Sequence, residues 1–219
     1  QAQVALPQRI AAGRAREVGV PLVEVLLLVH PLDPLPSRRL SARGISVAGM
    51  YESNDDLAWL DELLTRSLRG ASEHLRSIVT EGERTLDAAQ TAQVLTGMRT
   101  LALATTTSQG EPRISGVDGH FLKAHWVFST SGSAVKARHL QARPALSVAH
   151  LAGDELGIFC HGRAEFLGSR HPDRDWVDEH LTAHYGSSPT SWGPDIVYVR
   201  VQPHWMVSYA FGKERLLNP

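Results

Sequence analysis

Cysteine occurs once in this chain of 219 residues, at Cys160. One thiol excludes an internal disulfide framework and fits a reducing compartment. Its neighbours Ile158 and Phe159 are apolar, so a buried structural thiol is expected rather than a nucleophile. Lysine is scarce as well: Lys123, Lys136 and Lys213 are the only three, and arginine carries the rest of the positive charge. No excess of either sign exists, with 22 basic and 23 acidic side chains and a formal charge of -1. A sequence pI near 6.9 argues against a strongly basic nucleic-acid binder, so no nucleic-acid partner is expected. Long apolar runs are also missing. The run Val20–Val29 is too short to span a bilayer and is interrupted by Glu24. The same acid, and the want of a clean small-residue cleavage site, make it a poor secretory signal. With no internal repeat or long low-complexity tract, a cytoplasmic protein free of membrane is the expectation.

Apolar content of 42% and charged content of 21% are those of an ordinary soluble globular protein, of one good-sized domain or two small ones. Residues 1–49 read differently from the rest. They hold five prolines and six arginines but no lysine, and the first methionine is Met50. The functional unit is therefore expected to begin near Met50, with residues 1–49 as a non-native or poorly ordered extension. A partly helical arm packed on the domain is the competing expectation.

Residues 50–98 read as a helical lead-in. Ser53-Asn54-Asp55-Asp56 supplies capping oxygens and first-turn acids, Leu57, Leu60, Leu64 and Leu68 follow at helical spacing, and Gly70 stops the run. A second helical piece covers 72–79. A third begins after Thr85 and ends at Gly97, with Leu86, Ala89, Val94 and Leu95 expected inside. From residue 99 to 219 the pattern is mostly strand: 100–107, 113–117, 126–130, 145–151, 156–166, 196–201 and 206–210. Two helices interrupt it, at 133–141 and at a segment opened by Pro172 in its first turn and closed by Gly186. Six or seven short strands with few helices predict a mainly β fold, a small barrel with added helices.

The stretch Arg113–Pro144 carries the functional signal. An apolar strand, Trp126-Val127-Phe128, breaks into Ser129-Thr130-Ser131-Gly132-Ser133 and then into a helix bearing Lys136 and Arg138. Hydroxyls and free N–H groups at a helix start attract anions, and Lys136 adds a full positive charge one turn in. Phosphate or another anion is the ligand class these residues fit, with no nucleotide type specified.

At this point the residues from Thr100 to Ala210 resemble the flavin-binding split-barrel family related to pyridoxamine 5'-phosphate oxidase. The matching features come in order: Gly110, Pro112 and Arg113 in a G-x-P-R turn, Phe128-Ser129-Thr130 ending an aromatic strand, and a six-residue step to Lys136. Arg138-x-Leu140 closing at Pro144, Gly162-Arg163-Ala164-Glu165, and V-Y-V-R-V-x-P ending at Pro203 complete them. The resemblance implies a six-stranded split barrel, a homodimer with cofactor at the subunit interface, and a small-molecule substrate. It implies that Arg113, Thr130 and Lys136 bind the phosphate of flavin mononucleotide (FMN), with Ser131 and Ser133 as auxiliary donors. The segment Ile114–Val117 would let the flavin ring lie against strand backbone. Arginine offers phosphate a planar fork and lysine a compact charge, which suits these roles.

The sequence also departs from that family. Ala134 and Val135 stand where the oxidase has a phosphate-binding serine and arginine, Asp118 where a basic residue is expected, and Gly157 where a partner-subunit glutamine aligns. The C-terminal arginine–histidine substrate signature is missing from Phe211–Pro219. The oxidase activity itself is therefore not expected. Relatives that use the deazaflavin F420 or bind haem supply the alternatives. Two classes follow: a redox enzyme dependent on FMN or F420, with no acid–base catalyst named and Trp205 and Tyr209 bounding a substrate cleft, or a binding protein without turnover. Histidine, at eleven copies, adds candidates. His180 and His184 share a helix face, with Asp175 or Asp178 available as a further metal ligand. The glutamate of H-E-x-x-H is replaced by Leu181, so surface or helix-end roles are expected and no metal site is assigned. His120, His139 and His150 flank the cofactor segment. No serine sits in a G-x-S-x-G context.

Overall fold

The computed structural model describes residues 51–218; the predicted extension at 1–49 lies outside them. Helix α1, Asn54–Arg69, begins with a capping box in which Ser53 and Asp56 satisfy each other's backbone N–H, and ends at Gly70. Its buried residues Leu60, Leu63, Leu64 and Ser67 fall at helical spacing on one face. Helix α2 is Glu73–Ile78, capped by Ser72, and α3 is Ala88–Val94, capped by Asp87. Ala88 and Ala92 are buried and Ala89 is exposed, the reverse of the predicted face for that residue. The shift follows from the cap: with Asp87 rather than Thr85 starting the helix, the inward stripe runs through 88, 91 and 92.

Six strands follow: β1 Met98–Thr106, β2 Pro112–Leu122, β3 His125–Ser131, β4 Ala145–Ala152, β5 Leu156–Phe166 and β6 Ile196–Ala210. All pair antiparallel and close into a barrel in the order β1-β2-β3-β6-β5-β4. Helix α4, Val135–Ala142, joins β3 to β4, and α5, Arg174–Tyr185, joins β5 to β6. A short C-terminal helix, α6, spans Lys213–Leu217. No helix among the described residues is long and apolar enough to cross a membrane.

Three sequence expectations are corrected. The two predicted strands at 196–201 and 206–210 are one, β6, because Pro203 falls beside a register shift at His161/Gly162, where its missing N–H costs no ladder bond. Strand β2 runs five residues past Val117, to Leu122. Helix α5 starts after Asp173, so Pro172 lies before the cap and not in the first turn.

The main core fills the barrel with Leu101, Leu103, Val117, Phe128, Val148 and Val199, and α1 and α3 add Leu60, Leu63 and Val94 to it. A second cluster forms where Val177 and Leu181 of α5 cover Leu122, Val127 and Tyr198 on the outside of the sheet. Strands β2 and β3 are joined by a two-residue turn, Lys123-Ala124, with φ of 49° and 63°. Neither residue favours that left-handed region. The turn is held by its surroundings: the Lys123 ammonium lies 4.1 Å from the Trp176 ring centre and 3.5 Å from Asp173, and Ala124 is fully buried.

Candidate cofactor site at the split of the barrel

Strands β2 and β3 pair only from Gly119↔Phe128 to Leu122↔His125. Below that point they part. Residues 112–118 of β2 keep β1 on one edge and have no ladder partner on the other among the described residues, while β3 pairs with β6 along its far edge over 127–131. An open strand edge offers unpaired N–H and C=O groups and room for a flat group to lie along them. Continuing the β2–β3 register by residue count brings Arg113 level with Ala134, the residue that starts α4.

Helix α4 is fixed to this end of the barrel on several sides. Ala137 and Leu140 are its buried face. His139 Nδ1 lies 3.0 Å from Thr105 Oγ1, and Arg143 donates to the Thr106 carbonyl at 2.9 Å. Thr105 pairs directly with Arg113 across β1 and β2. Strand alternation puts Arg113 on the side of Val117, and Thr130 on the side of Phe128, so both face the barrel interior where the strands end. The sequence-predicted Arg113, Thr130 and Lys136 thus lie on elements that start or end at the same end of the barrel, near the start of β2, the end of β3 and the start of α4.

Their electrostatics differ. Lys136 is the second residue of α4, inside its first turn rather than a turn further on. It is half-buried, burial pushes its ammonium pKa down, and no acid pairs with it among the described residues. Arg113 is exposed and donates to Glu111 at 2.6 Å. Ser131 and Ser133 are engaged by Asp195: the Ser131 hydroxyl lies 3.0 Å from both carboxylate oxygens, and the Ser133 N–H donates at 2.8 Å. Along the open edge, Ile114 is 76% exposed, whereas the Val117 side chain is in the core. Only the backbone of Val117 is therefore available at the split.

The family model described as pyridoxamine 5'-phosphate oxidase matches residues 88–208, over half of the chain. The chain belongs to the pyridoxamine 5'-phosphate oxidase family. Among solved structures, a conserved hypothetical protein from Mycobacterium tuberculosis is 18% identical, with 62% of this chain and 91% of that one covered and a TM-score of 0.53. A FAD-binding protein from Mesorhizobium loti is 23% identical over 57% of this chain and 93% of its own, with a TM-score of 0.47. The haem storage protein HutZ from Vibrio cholerae is 21% identical over 53% and 89%, with a TM-score of 0.47. At 18% identity, the likeness to the Mycobacterium tuberculosis protein is one of fold. No curated protein matches the sequence.

Several features of the split bear on what it can hold. Ala134 caps α4 without any side-chain hydrogen bond, so the helix start offers backbone N–H groups and Lys136 but no capping hydroxyl. Asp118, at the upper end of the open edge, is close enough to Tyr185 to raise the phenol pKa, after burial, the larger cause. Gly157 is buried, and a Cβ there would come within 2.9 Å of the Phe159 ring. Trp205 stacks on His161 with ring centres 4.6 Å apart, and Tyr209 pairs with Gly157.

The histidines form a cluster that sequence spacing only half revealed. His180 and His184 do share one face of α5, but that face meets His120 of β2, which is 1% exposed. Asp178 instead accepts from Ser188 and Tyr198. No group of three metal-ligating side chains with metal-holding geometry occurs among the described residues. Burial, with His184 and His180 as like charges, holds His120 down to about 3. His150 hydrogen-bonds the Thr100 carbonyl through Nδ1 at 3.1 Å, away from α4.

Proposed function

We propose that this chain is an FMN-dependent oxidoreductase that binds its cofactor at the split between β2 and β3. The carrying observation is the open edge of β2 at 112–118 together with, near the same end of the barrel, a half-buried Lys136 at the start of α4 that has no paired acid among the described residues. Those features fit a flat ring with a phosphate tail: backbone and small side chains along the edge, and a cation with free helix N–H groups at its end. Arg113, Thr130 and Lys136 would hold the phosphate, and the stretch from Ile114 to Val117 would support the ring. When bound, the flavin supplies the electron or hydride chemistry, and the protein binds, orients and shields it.

Homodimerisation belongs to the same reading. The outer face of β2, β1, β4 and β5 carries Ile114, Ala102, Leu151 and Phe159, with Ile114, Leu151 and Phe159 at 76%, 60% and 39% exposure. Alanines between large exposed apolar groups make a flat face that a second copy would cover. A second copy would also bring the cofactor between two subunits.

One observation favours a second reading, an F420-dependent reductase or a flavin, deazaflavin or haem carrier without turnover. Asp118 places an acid at the ring end of the split, where it opposes the negative charge of a reduced flavin. Titration with FMN, F420 and haem separates the readings. Saturable FMN binding followed by reduction and reoxidation of the bound flavin supports the first. Uptake of F420 or haem alone transfers the assignment, and binding of none of them overturns it.

A further inference from the structure

Asp195 ends the segment between the short 3-10 helix Pro189–Ser191 and β6. Its carboxylate is exposed, yet it lies 3.0 Å from the Ser131 hydroxyl through either oxygen and accepts the Ser133 N–H at 2.8 Å. Its carbonyl accepts the Gly132 N–H at 2.8 Å. A Cβ on Gly132 would come within 3.0 Å of that carbonyl, so glycine lets the two backbones lie this close without either giving way. The backbone contact fixes Asp195 at the turn, and the carboxylate leaves its donors only by rotating its side chain.

An oxygen of a bound phosphate and an oxygen of Asp195 cannot both accept the same N–H and hydroxyl protons. We propose that Asp195 is an affinity-setting residue, an internal anion that competes with the phosphate end of the cofactor for the donors of Ser131 and Ser133. The proposal rests on the phosphate reading of this turn. The other cations there are consistent with this: Arg113 is paired with Glu111 at 2.6 Å, and Lys136 has no salt-bridge partner among the described residues. The donor bonds that hold Asp195 also keep its carboxyl below the ordinary aspartate range, so it stays an anion at neutral pH.

The test is titration of inorganic phosphate into the full chain and into Asp195→Asn at low ionic strength, followed through the Ser133 backbone amide by NMR. The asparagine variant keeps the shape and removes the charge, and its phosphate dissociation constant is expected to fall about fivefold, the size of an exposed charge interaction. Equal or weaker binding in the variant, or no phosphate effect on Ser133 in either protein, overturns the proposal. Should the asparagine variant fail to fold, Asp195→Ser is read the same way. A parallel titration with FMN and riboflavin isolates the underlying reading. Tighter phosphate binding in the variant with no preference for FMN over riboflavin leaves the Asp195 competition standing and removes the flavin assignment.

Discussion

His180 Nε2 lies 3.1 Å from His120 Nδ1, and the other ring nitrogen of His120 lies 3.1 Å from the Tyr185 hydroxyl. A neutral imidazole donates from one nitrogen and accepts at the other, which lets an uncharged His120 meet both partners. The groups facing it are His180, His184 and Tyr185 from α5, with Asp118 of its own strand nearer Tyr185. The cluster ties α5 to β2 beside the open edge.

Acid should therefore destabilise the fold through His120. Its pKa falls from 6.5 to about 3 on folding, so below pH 6.5 the unfolded chain binds a proton that the native chain refuses. Stability is flat above 6.5 and declines as pH falls from there toward 3, by about 1.4 kcal/mol per pH unit for one proton. His125, His150, His161 and His180 are lowered too and act with the same sign. Urea unfolding at pH 7.5, 6 and 5 measures the slope, and His120→Gln should make it shallower by one proton.

Gly162 sits at the register shift between β5 and β6, and a Cβ there would lie 2.5 Å from the Gln202 carbonyl oxygen. Backbone cannot move aside without breaking the ladder. Gly162→Ala is expected to cost about 2 kcal/mol or more, read as a lowered midpoint in chemical denaturation.

Cys160 should be inert in the native protein. It is 1% exposed, and burial pushes its thiol up to about 12, which leaves almost no thiolate at neutral pH. A disulfide reagent should titrate no thiol in buffer and one after denaturation.

Placing charge on the proposed dimer face should separate subunits. Ile114→Asp and Phe159→Asp add acids where two apolar surfaces would meet, and desolvating an unpaired charge there is costly. Sedimentation of the wild type should show a dimer and each variant a monomer. Monomeric wild-type protein would remove the interface.

The sequence made much of the scaffold legible because its signals were local. Ser53 and Gly70 bound α1 as their capping chemistry requires, and β5 matches its predicted limits because alternation and turn residues agree there. Strand β2 runs past the predicted end at Val117 because its far half, through Asp118, Gly119 and His120, is completed by contacts from α5 that no local pattern shows. Its far end is hidden by α5, a long-range contact that turns an exposed strand position into a buried one. The Lys123-Ala124 turn lacks the Asn-Gly chemistry of a two-residue hairpin and gave no local cue. At the proposed site, Arg113, Thr130 and Lys136 are suggested by ordered short motifs. Asp195 is not, for it lies 62 residues from Ser133, and His120 is 60 from His180. Contacts of that kind are fixed by topology, which spacing along the chain does not encode.

In the proposed site a flavin's phosphate is anchored at the split, with Lys136 as its anchor. The most direct measurement is the dissociation constant of FMN and of riboflavin for the wild type and Lys136→Ala. Loss of one charge-assisted contact predicts FMN weakened about tenfold and riboflavin unchanged. Equal affinity for FMN in the two proteins would contradict the placement of the phosphate and, with it, the cofactor site proposed for this barrel.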